Sequence, residues 1–351
     1  MKSQKIIEKI WFADVIKELT NVNDFASAAK LLLEQQKRDW QQLDEGYKSL
    51  RLVQTKDFDF DGIRISVQFN PKRIKSTSAK VDEASIKERK CFLCSENLPH
   101  AQKGILYGDE YLILSNPYPI FPEHFTITNI NHFPQRIRDV FYLMLFLSRS
   151  MHKYYTVFYN GPKCGASAPD HLHFQAGSKF FMPVEKEFSM LKKNFGELLF
   201  EDDVFSVCGI DDGIRRMISF EGDVEDILIH SFNIFYEIFT ELINIKSELP
   251  PTKRVEEPMM NIISSYEPET GWRIIIFLRS KHRPSHYFAQ GEKNILVSPA
   301  AVDLSGICIT PLEKDFEKIS KDDLLEIFQE VSIGKEYFEF LKTKLQEGLS
   351  R

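Results

Sequence analysis

The apolar residues of this chain recur with two different spacings, which predict a mixture of helices and strands. Helical spacing runs through residues 5–48 and again through Val224–Lys246. Polar and apolar residues alternate over Ile63–Phe69, which predicts a strand, whereas the mostly polar stretch 74–90 predicts a loop or a short helix. Further strands are predicted where apolar and β-branched residues cluster, at Tyr111–Ser115, Phe125–Asn129, Tyr154–Tyr159, His171–Gly177, Met259–Tyr266 and Trp272–Arg279.

A helix–strand–strand order occurs twice in this pattern. Pro134 is predicted to begin the first helix, because proline is favoured in the first turn and apolar residues follow it at helical spacing. Two strands follow this helix, and two more follow the helix at Val224–Lys246, roughly a hundred residues later. The order predicts a duplicated α+β unit. The second copy has Trp272–Phe277 where the first has His171–Gln175, so we expect catalysis only in the first.

The segment His171-Leu172-His173-Phe174-Gln175 carries the clearest chemical signal. Because strand side chains alternate between faces, a strand here puts His171, His173 and Gln175 on one face, about 7 Å apart in succession. The preceding loop, residues 160–170, is rich in small residues whose backbone N–H groups can surround a phosphate. The motif therefore predicts a polyphosphate site. A hydrogen-bonded surface pair and a metal site without catalysis are the alternatives.

Composition narrows the class of protein. The chain has 351 residues, 43% of them hydrophobic, which is enough for a large core and two or three packed units. A net charge of −6 argues against a protein that coats nucleic acid. No apolar run approaches the ~20 residues that span a bilayer, and five cysteines fit a reducing compartment better than a disulfide framework. We therefore expect a cytoplasmic protein without a membrane partner; the sequence does not indicate an oligomeric state.

Together these motifs resemble the histidine-triad superfamily, in its nucleotidyltransferase branch with tandem domains. His171–Ala176, with Pro134–Ile137, is similar to GDP-hexose phosphorylases such as GDP-L-galactose phosphorylase. The loop Asn160–Ser167 is similar to that of ATP adenylyltransferases, the diadenosine tetraphosphate phosphorylases. Ser298–Gly306 is similar to a C-terminal motif of the GDP-hexose enzymes.

The resemblance implies an α+β fold of tandem histidine-triad-like domains, in which antiparallel sheets pack against helices and the second copy is degenerate. It divides the chain into an N-terminal helical and strand extension (1–90), a catalytic half (91–180), a second half without the histidine motif (181–330) and a C-terminal helix (331–351). The catalytic chemistry is accordingly expected to lie within residues 91–180.

The chemistry that the resemblance implies is covalent nucleotidyl transfer. His173 would be the nucleophile, since a neutral imidazole is available near its reference pKa of ~6.5. The implied substrates are a nucleotide sugar of the GDP-hexose type or a dinucleoside polyphosphate, with inorganic phosphate as the acceptor and no nucleic acid as a partner. Uridylyl transfer to galactose 1-phosphate, hydrolysis of the nucleotidyl-histidine and nucleotide binding without catalysis stay open as alternatives.

The resemblance also implies which residues surround the substrate. Gln175 and His171 would join His173 in the catalytic centre. Substrate and phosphate contacts are predicted for Asn160, Lys163, Gly165, Ser167, Asn70 and Arg73. Asn160 could instead fix the loop, Lys163 could be solvated, and Asn70 and Arg73 could form an exposed turn. A basic cluster after a strand could bind incoming phosphate or simply face solvent; it comprises Arg279, Lys281, His282 and Arg283.

A zinc site is the one cofactor prediction. Cys91 and Cys94, followed by His132 and His171, resemble the zinc ligands of galactose-1-phosphate uridylyltransferases. Two thiolates and two imidazoles suit a closed tetrahedral zinc site, which has no position for water and is therefore structural. A reduced cysteine pair without metal is the alternative, and His124 is an alternative ligand.

Overall fold

A computed structural model describes residues 4–10, 24–246 and 257–350. Its strands are β1 (Gln54–Phe60), β2 (Ile63–Phe69), β3 (Gly104–Tyr107), β4 (Tyr111–Ser115), β5 (His124–Asn129), β6 (Tyr155–Asn160), β7 (His173–Ser178), β8 (Gly196–Glu201), β9 (Phe205–Asp211), β10 (Arg216–Gly222), β11 (Met260–Glu267), β12 (Gly271–Leu278) and β13 (Ile307–Thr310). Each strand predicted from the sequence is present, with ends that shift by one or two residues. The shift matters most at the central histidine segment, because its strand begins at His173 and leaves His171 outside it.

Helices cover both faces of the sheets formed by these strands. They are α1 (Gln4–Ile7), α2 (Phe25–Asp39), α3 (Gln41–Leu50), α4 (Ile74–Thr77), α5 (Glu83–Glu88), α6 (Phe141–Met151), α7 (Pro183–Phe195), α8 (Glu225–Lys246), α9 (Ser285–Phe288), α10 (Ala301–Leu304), α11 (Glu313–Lys318), α12 (Lys321–Val331) and α13 (Lys335–Leu349). Part of the helix predicted over 5–48 lies outside the described residues. No helix in the described ranges combines the length and the apolar character needed to cross a membrane.

Ten antiparallel strands form one continuous sheet, in the order β3-β4-β5-β7-β6-β11-β12-β10-β9-β8. The order repeats on either side of the β6–β11 junction. Along the chain, each half has three strands, then a helix, then two more strands. In each half the last strand pairs with the third strand, so β7 lies beside β5 and β12 lies beside β10. By this correspondence β12 occupies in the second half the place that β7 occupies in the first. The duplicated α+β unit expected from the sequence is therefore present in the topology, while the domain boundaries stay a prediction.

Cross-strand pairing shows what the second half has in place of the histidine motif. Gln175 pairs with Phe158, Phe158 with Ile263, and Ile263 with Ile275, so these four side chains lie on one face of the sheet. On β12 this face carries apolar side chains that are buried in a hydrophobic core with α12. On β7 the same face opens into a cavity lined by His173 and Gln175. Catalysis only in the first half, as expected, is consistent with this difference.

A separate three-stranded sheet lies beside the cavity and contributes Ile309 to its lining. Its order is β1-β2-β13, and β13 pairs parallel with β2, so residues before β3 and after β12 meet in one layer. Pro71 ends β2, and the chain then runs past the cavity through α4 and α5. The stretch 74–90, predicted to be a loop or a short helix, contains these two short helices.

The prediction that a helix starts at Pro134 is wrong by seven residues, since α6 begins at Phe141. The reason is tertiary. The Gln135 N–H donates to the Pro169 carbonyl, and the Ile137 N–H donates to a carboxylate oxygen of Glu257. These bonds hold residues 134–137 against the histidine segment and override the local preference for a helical turn.

Candidate active site

A large cavity of about 810 Å³ lies over strands β4 to β7 of the ten-stranded sheet, and Ile309 of β13 lines it from the three-stranded sheet. His173, Gln175 and Asn160 line it from the sheet, and Gly165 and Ser167 line it from the loop that joins β6 to β7. The opposite wall comes from the segment after β2 and from residues 298–303. Other residues that line the cavity around His173 are Arg73, Lys75, Lys80, Arg89, Trp40, Tyr118, Phe158, Ser298 and Asp303.

Gln135 clamps the backbone of His173 on both sides. Its amide oxygen accepts the His173 N–H at 2.8 Å, and its amide nitrogen donates to the His173 carbonyl at 2.9 Å and to the Asn160 carbonyl at 3.0 Å. Gln135 is 1% exposed, so these bonds form away from water. The clamp fixes the start of β7 beside the end of β6, which places His173 next to Asn160.

The orientation of the His173 ring is set by a backbone carbonyl. Nδ1 lies 2.7 Å from the carbonyl oxygen of His171; because a carbonyl only accepts, Nδ1 carries the proton. The second ring nitrogen, Nε2, therefore holds the lone pair on the side that lines the cavity. Burial lowers the pKa of His173 to about 4, which keeps the ring neutral at neutral pH. His173 is thus a neutral imidazole with an unprotonated Nε2 in a side chain that lines the cavity.

Gln175 is oriented by a histidine that the sequence suggested only as an alternative metal ligand. The Ile120 N–H donates to His124 Nδ1 at 3.3 Å, so His124 carries its proton on Nε2. Nε2 then donates to Oε1 of Gln175 at 3.0 Å. With its oxygen occupied, Gln175 directs its amide N–H groups toward the cavity that it lines. His124 lies apart from the cysteines and acts on Gln175 instead.

Asn160 is oriented in a similar way. Its Oδ1 accepts from the side-chain amide of Asn261 and from the Ala301 N–H, each at 2.8 Å. The amide N–H groups of Asn160 are thus left on the cavity side. Gly165 adopts φ +88°, a conformation that favours glycine, and a Cβ atom there would lie 2.5 Å from the Cβ of Ala300. The loop is therefore packed closely against the 298–303 segment.

The sulfur and nitrogen atoms predicted to bind zinc come together beside this cavity. The ligand atoms of Cys91, Cys94, His132 and His171 all lie within 4.8 Å of one another. Cys91 Sγ is 3.3 Å from His171 Nδ1, and Cys94 Sγ is 3.2 Å from His132 Nδ1. Tetrahedral zinc ligands at bond lengths of 2.0–2.3 Å are roughly 3.3–3.8 Å apart, so these separations fit the ion.

The surroundings of the cluster also suit a metal. His171 Nε2 donates to the Asn129 carbonyl at 2.8 Å, which turns Nδ1 toward the thiols. His132 Nε2 lies 3.6 Å from a carboxylate oxygen of Asp170, and Arg89 bonds the other oxygen of the same carboxylate at 2.7 Å. An outer hydrogen bond such as that of His171 fixes the ring and tautomer of a histidine ligand, and Asp170 adds a carboxylate next to His132. The residues present therefore fit a structural zinc site.

His171 does not share a cavity-facing role with His173 and Gln175, contrary to the expectation from strand alternation. It precedes β7, and its ring turns to the cysteine cluster. Of the residues expected to contact substrate, Asn70 and Lys163 do not line the cavity. Asn70 is buried, and its amide donates to Gln68 and to the Pro119 carbonyl, which is a structural role.

Arg73 does line the cavity. Its Nη1 donates to the Tyr118 carbonyl at 3.0 Å, and burial lowers its pKa to about 10, so it stays cationic. Asp303, which the sequence reasoning did not single out, lines the cavity as well; burial raises its pKa to about 6 while the Ala300 and Ile309 N–H groups stabilise its charge. The wall thus contains both a half-buried guanidinium and a buried carboxyl.

The basic cluster after β12 separates into different roles. Arg279 is 0% exposed and donates to neutral oxygen atoms only. Lys281 pairs with Glu330 near the surface. Arg283 donates to Ser298 Oγ and to the carbonyls of residues 77 and 79, so it ties the segment after β2 to the 298–303 segment. None of the three is among the residues that line the cavity.

Two family models match different parts of the chain. Residues 32–178 match a domain of unknown function, DUF4922, and residues 257–351 match the GDPGP1-like C-terminal domain. The first match contains the cavity-facing histidine segment, and the second contains β11 to α13. No curated protein sequence matches the chain.

Among solved structures, the chain is similar to yeast Ap4A phosphorylase Apa2, with 15% identity and a TM-score of 0.51 over 86% of this chain and 97% of that chain. The same yeast enzyme in complex with Ap4A gives 14% identity and a TM-score of 0.52 over 84% and 96%. A uridylyltransferase mutant is less similar, with 10% identity and a TM-score of 0.39 over 85% and 98%. The similarity to the yeast enzyme confirms, at the level of the fold, the α+β architecture predicted from the sequence and its resemblance to diadenosine tetraphosphate phosphorylases.

Proposed function

We propose that this protein is a nucleotidyltransferase of the phosphorylase type, which cleaves a nucleotide sugar of the GDP-hexose type or a dinucleoside polyphosphate through a covalent nucleotidyl-histidine. The observation that carries the proposal is the geometry of His173. Its Nδ1 proton is bound to the His171 carbonyl, and its Nε2 lone pair is at the cavity beside two oriented amide groups. The similarity to Ap4A phosphorylase and to the GDPGP1-like C-terminal domain supports the substrate class.

In the first step, the Nε2 lone pair of His173 attacks the α-phosphorus of the donor. A P–N bond forms, the bond from phosphorus to the bridging oxygen breaks, and its electron pair leaves with the sugar phosphate or nucleotide. As Nε2 becomes bonded, the ring becomes cationic, and the His171 carbonyl on Nδ1–H stabilises that charge. In the second step, an oxygen of inorganic phosphate attacks phosphorus and Nε2 recovers its lone pair.

Negative charge grows on the phosphoryl oxygens during both steps. Gln175 and Asn160 supply amide N–H donors whose orientation is fixed before substrate arrives, because buried donors already occupy their oxygens. Donors that need no reorientation are the usual source of large rate effects at such centres. Arg73, Lys75, Lys80 and Arg89 add positive charge to the cavity walls, which favours a ligand with several phosphates.

Zinc, when bound by Cys91, Cys94, His132 and His171, would serve as a structural ion. The four ligands leave no position for water, so the ion supplies no nucleophile. Its place in the reaction is indirect: it would hold His171, whose carbonyl accepts the hydrogen bond from Nδ1–H of His173.

Intact-mass measurement after mixing the protein with GDP-glucose, diadenosine tetraphosphate or UDP-glucose, first without phosphate, tests the proposal. We expect an adduct of one nucleoside monophosphate, which phosphate removes and which His173→Ala prevents. The base of the adduct identifies the donor. Loss of the adduct in water alone would assign a hydrolase instead, and binding of these nucleotides without any adduct would contradict catalysis by His173.

A further inference from the structure

Arg279 is a buried cation without a partner of opposite charge. Its guanidinium donates to Asn261 Oδ1 at 2.6 Å and to the carbonyls of Pro299, Lys281, His282 and Val331 at 2.8–3.3 Å. These bonds use all five of its N–H groups, and no carboxylate of the described ranges forms an ion pair with it. Buried charges in proteins are normally paired, because an isolated charge in a low-dielectric interior is costly. The charge of Arg279 therefore needs an explanation.

Another buried arginine of the same half, Arg215, has a carboxylate partner. Arg215 is also almost fully buried, but both Nε and Nη2 bond the carboxylate of Asp212, at 2.9 and 2.6 Å. The carboxyl group that interacts electrostatically with Arg279 is that of Asp303, which interacts in the same way with Arg73. One carboxyl group shared between the buried guanidinium of Arg279 and the half-buried guanidinium of Arg73 leaves net positive charge next to the cavity.

A chain of hydrogen bonds leads from Arg279 to the cavity. Arg279 occupies Oδ1 of Asn261, so the Asn261 amide nitrogen must point the other way, where it donates to Asn160 Oδ1 at 2.8 Å and to the Cys164 carbonyl at 2.7 Å. Asn160 in turn can offer only its own amide N–H groups to the cavity. Arg279 thus contributes to the orientation of Asn261, and Asn261, together with the Ala301 N–H, orients Asn160.

We propose that Arg279, from the half without histidines, is a positioning residue for the phosphate site: through Asn261 it holds Asn160 as a donor, and its charge is balanced by the phosphate of the bound ligand. The inference rests on the proposed function only for the ligand class, a phosphate ester. It assigns the second half a part in the site, because Arg279 directly follows β12, the strand that corresponds to β7.

The test compares a ligand with and without its phosphate. Calorimetry would measure binding of GMP and guanosine, and of AMP and adenosine, to the wild type and to Arg279→Met. We expect Arg279→Met to weaken binding of the monophosphate by about tenfold or more, and binding of the nucleoside by less than about twofold. Arg279→Lys should restore part of the preference for the monophosphate. Arg216→Met, which removes a partly buried arginine paired with Asp211, is the control and should keep that preference.

A second variant covers the case in which Arg279→Met does not fold. Asn261→Asp is isosteric and gives Arg279 a carboxylate partner, so the fold should persist, as checked by thermal melting. The new carboxylate no longer donates to Asn160 and adds negative charge next to the cavity, so the preference for GMP over guanosine should fall at least as far. An equal loss for nucleoside and monophosphate, an unchanged preference, or a wild type without any preference would overturn the inference. The adduct experiment is independent, because it can fail while charge-dependent binding persists.

Discussion

His124 donates its Nε2–H to the side-chain oxygen of Gln175 across 3.0 Å, from a position where water cannot reach it. The bond settles which end of the Gln175 amide faces the cavity. Without it, the amide could rotate and present its oxygen, which repels a phosphoryl oxygen. A residue that never touches the substrate thus determines whether its neighbour is a donor.

We expect His124→Phe to slow adduct formation by about 10- to 100-fold, because a donor that loses its orienting partner costs less than the roughly 100- to 1000-fold associated with removal of the donor itself. Phe121 and Phe158 already surround the ring at 5.1 and 5.9 Å, so phenylalanine fits among them. Single-turnover mass measurements give the rate. His124→Gln retains an N–H donor and should recover part of it, whereas Gln175→Glu, which keeps the oxygen for His124 but turns a negative oxygen to the phosphate, should be slower still. An unchanged rate in His124→Phe would contradict this role.

The sequence predicted the strands well, and it singled out a segment that proves to line the cavity, because alternation and the His-Leu-His-Phe-Gln segment are local signals. It could not predict what His124 and Gln135 do. Their partners lie 51 and 38 residues away, and a single polar residue leaves no periodic trace. The same limit explains His171: alternation applies only inside a strand, and the cysteine cluster holds this residue just outside β7.

Cys91→Ala should remove the bound metal. The protein, purified without added zinc, is expected to contain close to one zinc per chain by elemental analysis, and the variant close to none. Stability should fall more than in Cys308→Ala, a control that removes a buried thiol outside the cluster. Because His171 would lose its anchor, the adduct should also form more slowly. Equal zinc content in the two variants would exclude this ligand set.

Gly165→Ala should damage the loop beside the nucleophile. Its φ of +88° is strained for alanine, and the added Cβ would lie 2.5 Å from Ala300 Cβ. Gly213→Ala is a matched control, since it has φ +78° but nothing within 4 Å of the added atom. Both variants should lose about 1 kcal/mol of stability or more through backbone strain, measured by urea unfolding. Only Gly165→Ala should also weaken nucleotide binding; an equal effect on binding in both would show that the close packing of the loop is not needed.

The buried His124 should make the free energy of unfolding fall as the pH is lowered. Burial, reinforced by the charge of Arg73, lowers its pKa to about 3, whereas in the unfolded chain it is near 6.5. Between these values the unfolded state binds a proton that the folded state does not. The folded state therefore loses about 1.4 kcal/mol for each unit by which the pH falls below 6.5. His124→Asn lacks this contribution. The free energy of unfolding, measured with urea at pH 7, 6, 5 and 4.5, should therefore fall more steeply in the wild type than in the variant, by about 1.4 kcal/mol per pH unit below 6.5. His100→Asn, at an exposed position, should follow the wild type at every pH. Parallel curves for the wild type and His124→Asn would mean that His124 accepts a proton in the folded protein and cannot act as the fixed Nε2–H donor to Gln175.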